Sequence, residues 1–366
     1  MNTSFDSLLS SVYIIAEAGV NHNGSLTRAL SMINVAAQAG ADAIKFQSFN
    51  PEDLASPSAD KADYQKKHSP DNESQLDMLK KLALTKNQQL QLATACHKRG
   101  IDFLSSPFDI DSASFLMNEI HPKFLKIGSG EITNGPLLYH IAQHDYPMVL
   151  STGMSSLEEV KNALALICFC YLNKTTTPTE ALVQQTYQSQ QAKAILQKNV
   201  CLLHCTTEYP CPFEQVNLRA MQSLQTTFQL STGLSDHSRG YYVPIAAVAM
   251  SAAIIEKHFT LDKTLAGPDH QASLDPQELS DMVNAIRITE MTMGNPVKQA
   301  SYSEQKNRPV ARKSLVAACD IKQGEAFTLH NLTTKRPGHG ISPMEYWNLL
   351  GKTSTHNYSK NDLIRP

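Results

Sequence analysis

Residues 233–260 read GLSDHSRGYYVPIAAVAMSAAIIEKHFT. Two strand-like runs, "FQLSTGLSD" and "AAIIEK", lead into histidines, His237 and His258, and a helix-like run from Tyr241 to Ser251 lies between them. Strand, helix and strand at this spacing make one β-α repeat, which implies parallel strands joined by a crossover helix. A lone histidine at a strand exit is ordinarily a satisfied, partly buried residue. Two of them one repeat apart can meet, because neighbouring strands lie about 5 Å apart. Such a pair can bind one divalent metal and leave positions open for water and substrate.

The same texture extends along most of the chain. "VYIIAE", "AIKFQSF", "DFLSSPF", "FLKIGSG", "PMVLSTG", "VCLLHCT", "FQLSTGLSD" and "AAIIEKHFT" are eight apolar runs separated by segments of helical period. Leu26, Leu30, Ile33 and Ala37 mark one face of the first helix, and Gly40 closes it as a C-terminal cap. The helix after the eighth run starts with Asp275 as N-cap, Pro276 at the first turn and Glu278 three residues on, and ends at Gly294. Near-continuous apolar strands alternating with helices predict a parallel sheet buried on both faces. Eight of them predict an α/β fold, a (β/α)8 barrel, over residues 1–294. An open doubly wound sheet is the alternative, but "EAGVNHNGS" is not its glycine-rich first turn.

Two stretches interrupt the repeat. Residues 50–75 form a long polar loop after the second strand, on the face where barrel active sites lie. Residues 168–198 read as a polar, Gln-rich, solvated insertion before the sixth strand. Past Gly294 a polar linker (295–308) leads into residues 309–366, whose short strand-like pieces and turn signals predict a small β-rich domain.

Composition excludes several classes. The chain has 366 residues, is 18% charged and carries a net charge of -2, so nothing in its charge favours nucleic acid or an anionic membrane as partner. No apolar stretch approaches the ~18 residues of a membrane span. The amino-terminal residues lack the basic region and cleavage site of a signal peptide, and the expected location is cytoplasmic. The cysteine count of 7 is odd and spread along a long chain, which argues for reduced thiols. Cys168 and Cys170 form a C-x-C pair without a second ligand pair at zinc-site spacing.

Because barrel chemistry sits at the carboxyl ends of the strands, those ends supply the candidate site. They carry Glu17; Lys45 and Gln47; Ser106; Lys126, Ser129 and Glu131; Ser151; Thr207 and Tyr209; Ser235 and His237; and His258. A lysine inside an apolar run is costly unless it faces an anion. Two of them with a crown of hydroxyls suit a phosphate and a carboxylate.

At this point the motifs "IIAEAGVNHNG", "AIKFQSF", "SSPFD", "LKIGSGEITN", "LSTGM", "LHCTTEYPCPFEQVNL", "GLSDHS", "IEKHFT", "GPDHQASL" and "LTTKRPGHGISP" closely resemble those of the bacterial sialic acid synthases, over nearly the whole chain. The resemblance implies a (β/α)8 barrel followed by a small antifreeze-like (SAF) domain. It implies condensation of phosphoenolpyruvate with N-acetylmannosamine, or a close N-acylated sugar, to N-acetylneuraminate and phosphate with C–O cleavage. A legionaminate synthase using 2,4-diacetamido-2,4,6-trideoxymannose is the alternative, and a non-catalytic carbohydrate-binding protein is the alternative from another class. Matched motif by motif, Lys45, Ser106, Lys126, Ser129, Ser151, Thr207 and Ser235 would hold phosphoenolpyruvate. His237 and His258 would hold Mn2+, with Mg2+ or Co2+ as alternatives. Glu17, Gln47, Glu131, Tyr209 and Asp269 would face the sugar, and Arg336 would reach its N-acetyl group. Glu17 would orient or deprotonate water, and "KADYQ" (61–65) would contact the sugar. The expected assembly is a domain-swapped homodimer. Some members have asparagine at the place of Thr207 and threonine at that of Ser106, swaps that keep a hydrogen-bonding group. The insertion is longer than the family leads one to expect.

Overall fold

The computed structural model describes residues 5–9, 11–56, 58–61 and 74–365. The chain divides into two compact units, Met1–Gly294 and Asn295–Pro366.

In the first unit eight parallel strands, β1 (Tyr13–Gly19), β2 (Ala43–Ser48), β3 (Asp102–Pro107), β4 (Leu125–Ile127), β5 (Met148–Ser151), β6 (Val200–Cys205), β7 (Ser231–Asp236) and β8 (Ile254–His258), run in the order β3-β2-β1-β8-β7-β6-β5-β4. The order is that of a barrel, with β3 and β4 side by side at a seam that no recorded ladder closes. Each predicted apolar run holds one strand. The helices are α1 (Leu26–Ala39), α2 (Pro51–Leu54), α3 (Gln75–Leu82), α4 (Lys86–Arg99), α5 (Ile110–Phe115), α6 (Gly135–Gln143), α7 (Leu157–Leu172), α8 (Glu180–Tyr187), α9 (Gln190–Asn199), α10 (Arg219–Phe228), α11 (Tyr242–Ala249) and α12 (Pro276–Met293).

Local signals set the helix ends. Gly40 caps α1 with φ 81°, a left-handed conformation that costs glycine little. Asp275 and Glu278 form the expected capping box of α12, with Pro276 in its first turn. The buried stripe of α1 is turned slightly from expectation: Ala29, Met32, Ile33 and Ala36 are buried, while Leu26, Leu30 and Ala37 flank them, partly buried. The small alanines allow close approach to the sheet, and the longer leucines cover the sides. The expected solvated insertion is also corrected. Residues 168–172 complete α7, with Cys168 and Cys170 buried as free thiols, and the excursion proper is α8 and α9, which pack near α7, α9 through buried Ala192 and Leu196 and α8 through partly buried Val183 and Tyr187. From Ala62 onward, "KADYQ" lies outside the described residues, whereas Lys61 is described and buried.

The period of two divides the strands' side chains between two cores. One set, with Ile14, Ile44, Leu125, Leu150 and Leu202, packs under the helices. The other fills the barrel and changes character along its axis. At the amino end Tyr13, Ile15, Ala43, Leu104, Phe124, Val149, Cys201, Leu203 and Ile254 form an apolar layer, with Phe5 from the short turn Phe5–Leu8 packed against Phe124, ring centroids 5.8 Å apart and planes tilted by 49°. At the carboxyl end the same inward faces carry Glu17, Lys45, Ser106, Lys126, Ser151, Ser235, Glu256 and His258, all buried.

The second unit has its own core of Leu315, Ala317, Ile321, Phe327, Leu332, Tyr358 and Ile364. It contains an antiparallel pair, β9 (Ser314–Ala317) and β10 (Leu332–Lys335), preceded by α13 (Tyr302–Ala311) and followed by the single turn α14 (Tyr346–Leu349).

Candidate active site

The strand-exit residues predicted for the site, from Glu17 to His258, and Asp269 all line one cavity of about 300 Å³ at the carboxyl end of the barrel, whereas Lys61 of "KADYQ" is not among its lining residues. Arg336 lies in the second unit, exposed, with its Nε donating to the Ala311 carbonyl at 2.9 Å. Sequence reasoning missed Glu256, Leu54, Gln75, Leu79, Phe108 and Cys205, which also line the cavity. Glu256 was within reach: it stands two residues before His258 and therefore on the same face of β8.

The floor is an ion-pair lattice set by strand register. Glu17 sits opposite both Lys45 and His258, and Ser235 opposite Glu256. Lys45 Nζ lies 2.8 Å from Glu17 Oε1 and 3.7 Å from Glu256 Oε2, and donates to Ser106 Oγ at 3.1 Å. Lys126 Nζ lies 3.2 Å from Glu256 Oε1, which also accepts from Ser235 Oγ at 2.7 Å. Burial works against every charge here. It alone would raise Glu256, yet Lys126 and Lys45 hold that carboxyl down to about 2. Burial likewise lifts Glu17 to about 8, with Lys45 opposing and Glu256 assisting. On Lys45 burial favours the neutral amine, but Glu17 and Glu256 more than offset it and keep the ammonium. Of two buried carboxyls, one is thus a fixed countercharge and the other sits where a proton can be gained or lost near neutrality.

The histidines form the wall of β7 and β8, with ring centroids 5.5 Å apart. His237 Nδ1 lies 2.7 Å from the Thr206 carbonyl. A carbonyl only accepts, so Nδ1 carries the proton and Nε2 keeps its lone pair. His258 Nδ1 is buried without a hydrogen-bond partner, 4.0 Å from Asp269 Oδ2. Burial depresses both rings, His237 to about 4 and His258 well below its ordinary value, so both are neutral. Burial lifts Asp269 to about 6. Two neutral nitrogens suit a metal; among the described residues no group of three or more His, Cys, Asp or Glu is assembled for one. Beneath them, Asp236 and Lys257 point away from the cavity and pair at 2.6 Å, cross-linking the two strands that present the histidines.

A third wall is made of hydroxyls at β4, β5 and β6. Gly153 N–H donates to Ser129 Oγ at 3.0 Å, and Ser129 Oγ lies 3.0 Å from Cys205 Sγ. A Cβ on Gly153 would fall 2.5 Å from Thr207 Oγ1 and 2.7 Å from Ser129 Oγ, so the glycine keeps this corner open. Ser151 Oγ and Thr207 Oγ1 are buried without a hydrogen-bond partner, as are Glu17 Oε2 and, apart from its ion pair with Lys45, Glu256 Oε2. Buried polar atoms without partners are rare and call for a ligand, a water or an ion.

Two loops brace the β8 side. Asn21 Nδ2 donates to the Phe259 carbonyl at 2.8 Å and to Ser273 Oγ at 2.9 Å, and Ser273 Oγ donates to the Asp269 carbonyl at 2.7 Å. The turn after β1 therefore anchors the loop that delivers Asp269.

Residues 32–298 match the model of the NeuB family and residues 312–366 that of the SAF domain. The chain is 49% identical over 352 residues to an N,N'-diacetyllegionaminic acid synthase of Campylobacter jejuni, covering 96% of this chain and 98% of that one. It is 41% identical to a Legionella pneumophila protein of the same name, over 95% of this chain and 91% of that one. Among solved structures, an N-acetylneuraminic acid (sialic acid) synthetase from Leptospira borgpetersenii superposes with TM-score 0.65 at 32% identity, over 81% of this chain and 90% of that one. With a parallel barrel that gathers two lysines, two histidines and the hydroxyls in one cavity, and with a family model matched over most of its length, the chain is an enzyme that belongs to the NeuB family.

Proposed function

We propose that this enzyme condenses phosphoenolpyruvate with 2,4-diacetamido-2,4,6-trideoxymannose and water to give N,N'-diacetyllegionaminic acid and phosphate. The neuraminate product expected from sequence gives way because the two similar relatives described above both carry the legionaminic acid name. The observation that carries the reaction class is the set of buried polar atoms without hydrogen-bond partners on Glu17, Ser151, Thr207 and His258, all around one cavity with two lysines on its floor.

In this reading Lys45 and Lys126 bind the carboxylate and phosphate, helped by Ser106, Ser129, Ser151, Thr207 and Ser235. His237 and His258 would hold Mn2+, with Mg2+ or Co2+ as alternatives; the partnerless Nδ1 of His258 and the free lone pair of His237 fit such an ion. Bound there, the ion supplies Lewis-acid polarisation of the sugar's aldehyde oxygen. Carbon 3 of phosphoenolpyruvate adds to the aldehyde carbon, and the positive charge left at carbon 2 takes up water. Glu17, lifted to about 8 by burial, is suited to orient that water and accept its proton. The tetrahedral intermediate then expels phosphate by C–O cleavage, with the lysines stabilising the departing charge. Gln47, Glu131, Tyr209 and Asp269 hold the sugar. Arg336 reaches an acetyl group, and in the homodimer we propose, the small domain of one chain serves the barrel of the other.

The test is phosphate release from phosphoenolpyruvate with a panel of N-acetylated hexoses. The diacetamido-trideoxy sugar should be turned over best, chelation should abolish turnover and Mn2+ restore it. Preferred turnover of N-acetylmannosamine would return the reading to neuraminate, and full activity after exhaustive chelation would remove the metal from it.

A further inference from the structure

We infer that the cavity wall formed by Leu54, Leu79 and Phe108 reads carbon 6 of the sugar, selecting a methyl group there over a hydroxymethyl; the inference rests on the synthase reading above. Among the described lining residues, glycines aside, these three are the ones whose side chains contain only carbon and hydrogen. They come from three places: the end of α2, the middle of α3, and the residue just after β3. Leu79 and its partly buried neighbours Leu54 and Phe108 belong to one apolar cluster with Phe49 and Ala55, so the wall is backed by a small core of its own.

Its position in the barrel gives it a role. The strand order places β3 and β4 across the mouth from β7 and β8. The carbon wall comes from the β2–β3 connection and the end of β3, so it faces the β7 exit with His237 and the neighbouring Tyr209 across the mouth, while the β4 exit beside it carries Lys126, Ser129 and Glu131. A sugar that reacts at carbon 1 needs its aldehyde, its neighbouring amide and its hydroxyls on the polar side. Its far end, carbon 6, then meets the carbon wall. A methyl group loses water there at no polar cost. A hydroxymethyl group would lay its oxygen against Leu54, Leu79 and Phe108, which cannot hydrogen-bond it, with the Gln75 amide one turn before Leu79 as the competing partner beside them.

The experiment compares two sugars that differ at carbon 6 alone, 2,4-diacetamido-2,4,6-trideoxymannose and 2,4-diacetamido-2,4-dideoxymannose, in phosphate release by the full-length enzyme. The wild type should prefer the methyl sugar by about 10- to 100-fold in kcat/KM, the range open to an apolar pocket. Leu54→Gln and Leu79→Gln should each cut that preference by at least about fivefold, with KM for phosphoenolpyruvate unchanged. Because Leu79 is buried, Leu54→Gln, at the edge of a four-residue helix, decides the matter if the other variant does not fold. An unchanged preference in Leu54→Gln, or a wild type indifferent to the carbon-6 hydroxyl, overturns the inference while leaving the synthase reading intact. A wild type that releases phosphate with neither of these sugars nor with N-acetylmannosamine overturns both.

Discussion

Glu256 is the countercharge on which Lys126 depends and which Lys45 shares with Glu17. Lys126 has no other carboxylate within ion-pair distance among the described residues, so Glu256→Gln leaves a buried ammonium uncompensated. Removing one partner of such a pair costs about 3–5 kcal/mol. The variant should unfold at correspondingly lower denaturant, and phosphoenolpyruvate, which supplies the missing charge, should raise its midpoint more than it raises that of the wild type. Equal midpoints without ligand would remove Glu256 from this role. A second buried group sets a pH dependence. His22 Nδ1 accepts the Gly24 N–H at 3.0 Å, and burial depresses the ring to about 4 from an ordinary 6.5. As pH falls from 6.5, the unfolded chain takes up the proton first, so stability is present above 6.5 and lost towards 4. The loss is about 2 kcal/mol by pH 5 and about 3 kcal/mol by pH 4. His22→Asn keeps an acceptor for Gly24 but does not titrate, and urea unfolding from pH 7 to 4.5 should show a shallower slope. Lysines inside apolar runs and paired histidines at strand exits announced themselves in the sequence because each contradicts its surroundings. Leu54, Leu79 and Phe108 did not, because a leucine or phenylalanine looks alike in a core and in a pocket wall.

The turn after β1 and the loop after β8 act as one element. Through Asn21, Ser273 and the Asp269 carbonyl, a residue outside the cavity lining positions one that lines it and is proposed to hold the sugar. Asn21→Ala should raise KM for the sugar several-fold and leave KM for phosphoenolpyruvate unchanged, at a stability cost of about 1–3 kcal/mol. Equal effects on both constants would mean that the clamp supports the whole barrel mouth. All eight strands were legible because buried parallel strands are short continuous apolar runs, and the caps of α1 and α12 were spelled out by Gly40 and by Asp275 with Glu278. The packing of α8 and α9 was not, since both are short and mostly polar, α8 has no buried residue and α9 hides Ala192 and Leu196 among glutamines and lysines. The same holds for α2 and α3, whose approach to the cavity is a long-range fact that local pattern does not carry.

For the molecule as a whole, the proposed exchange of small domains is decided by complementation. Arg336→Ala and His258→Ala are each expected to lose most turnover. Co-expressed, they should regain a fraction of it, because some sites then combine an intact barrel with an intact Arg336. No recovery despite proven heterodimers would show that each small domain serves its own barrel. The boundary near Gly294 was readable from the polar linker, and the two units carry separate cores. The layering inside the barrel has a further consequence for how this protein can change. Its amino-end layer, from Phe5 and Phe124 to Ile254, is an apolar cluster with no residue in the cavity lining, whereas the inward residues above it are mostly polar. Tolerance to substitution should therefore sort by height along the barrel axis. Volume-conserving swaps in the lower storey would tune thermal resistance while leaving turnover alone, and changes in the upper storey outside the Glu17, Lys45, Lys126 and Glu256 lattice would redirect chemistry on a scaffold already secured from below. Heritable variation can thus explore new substrates without first rebuilding the fold.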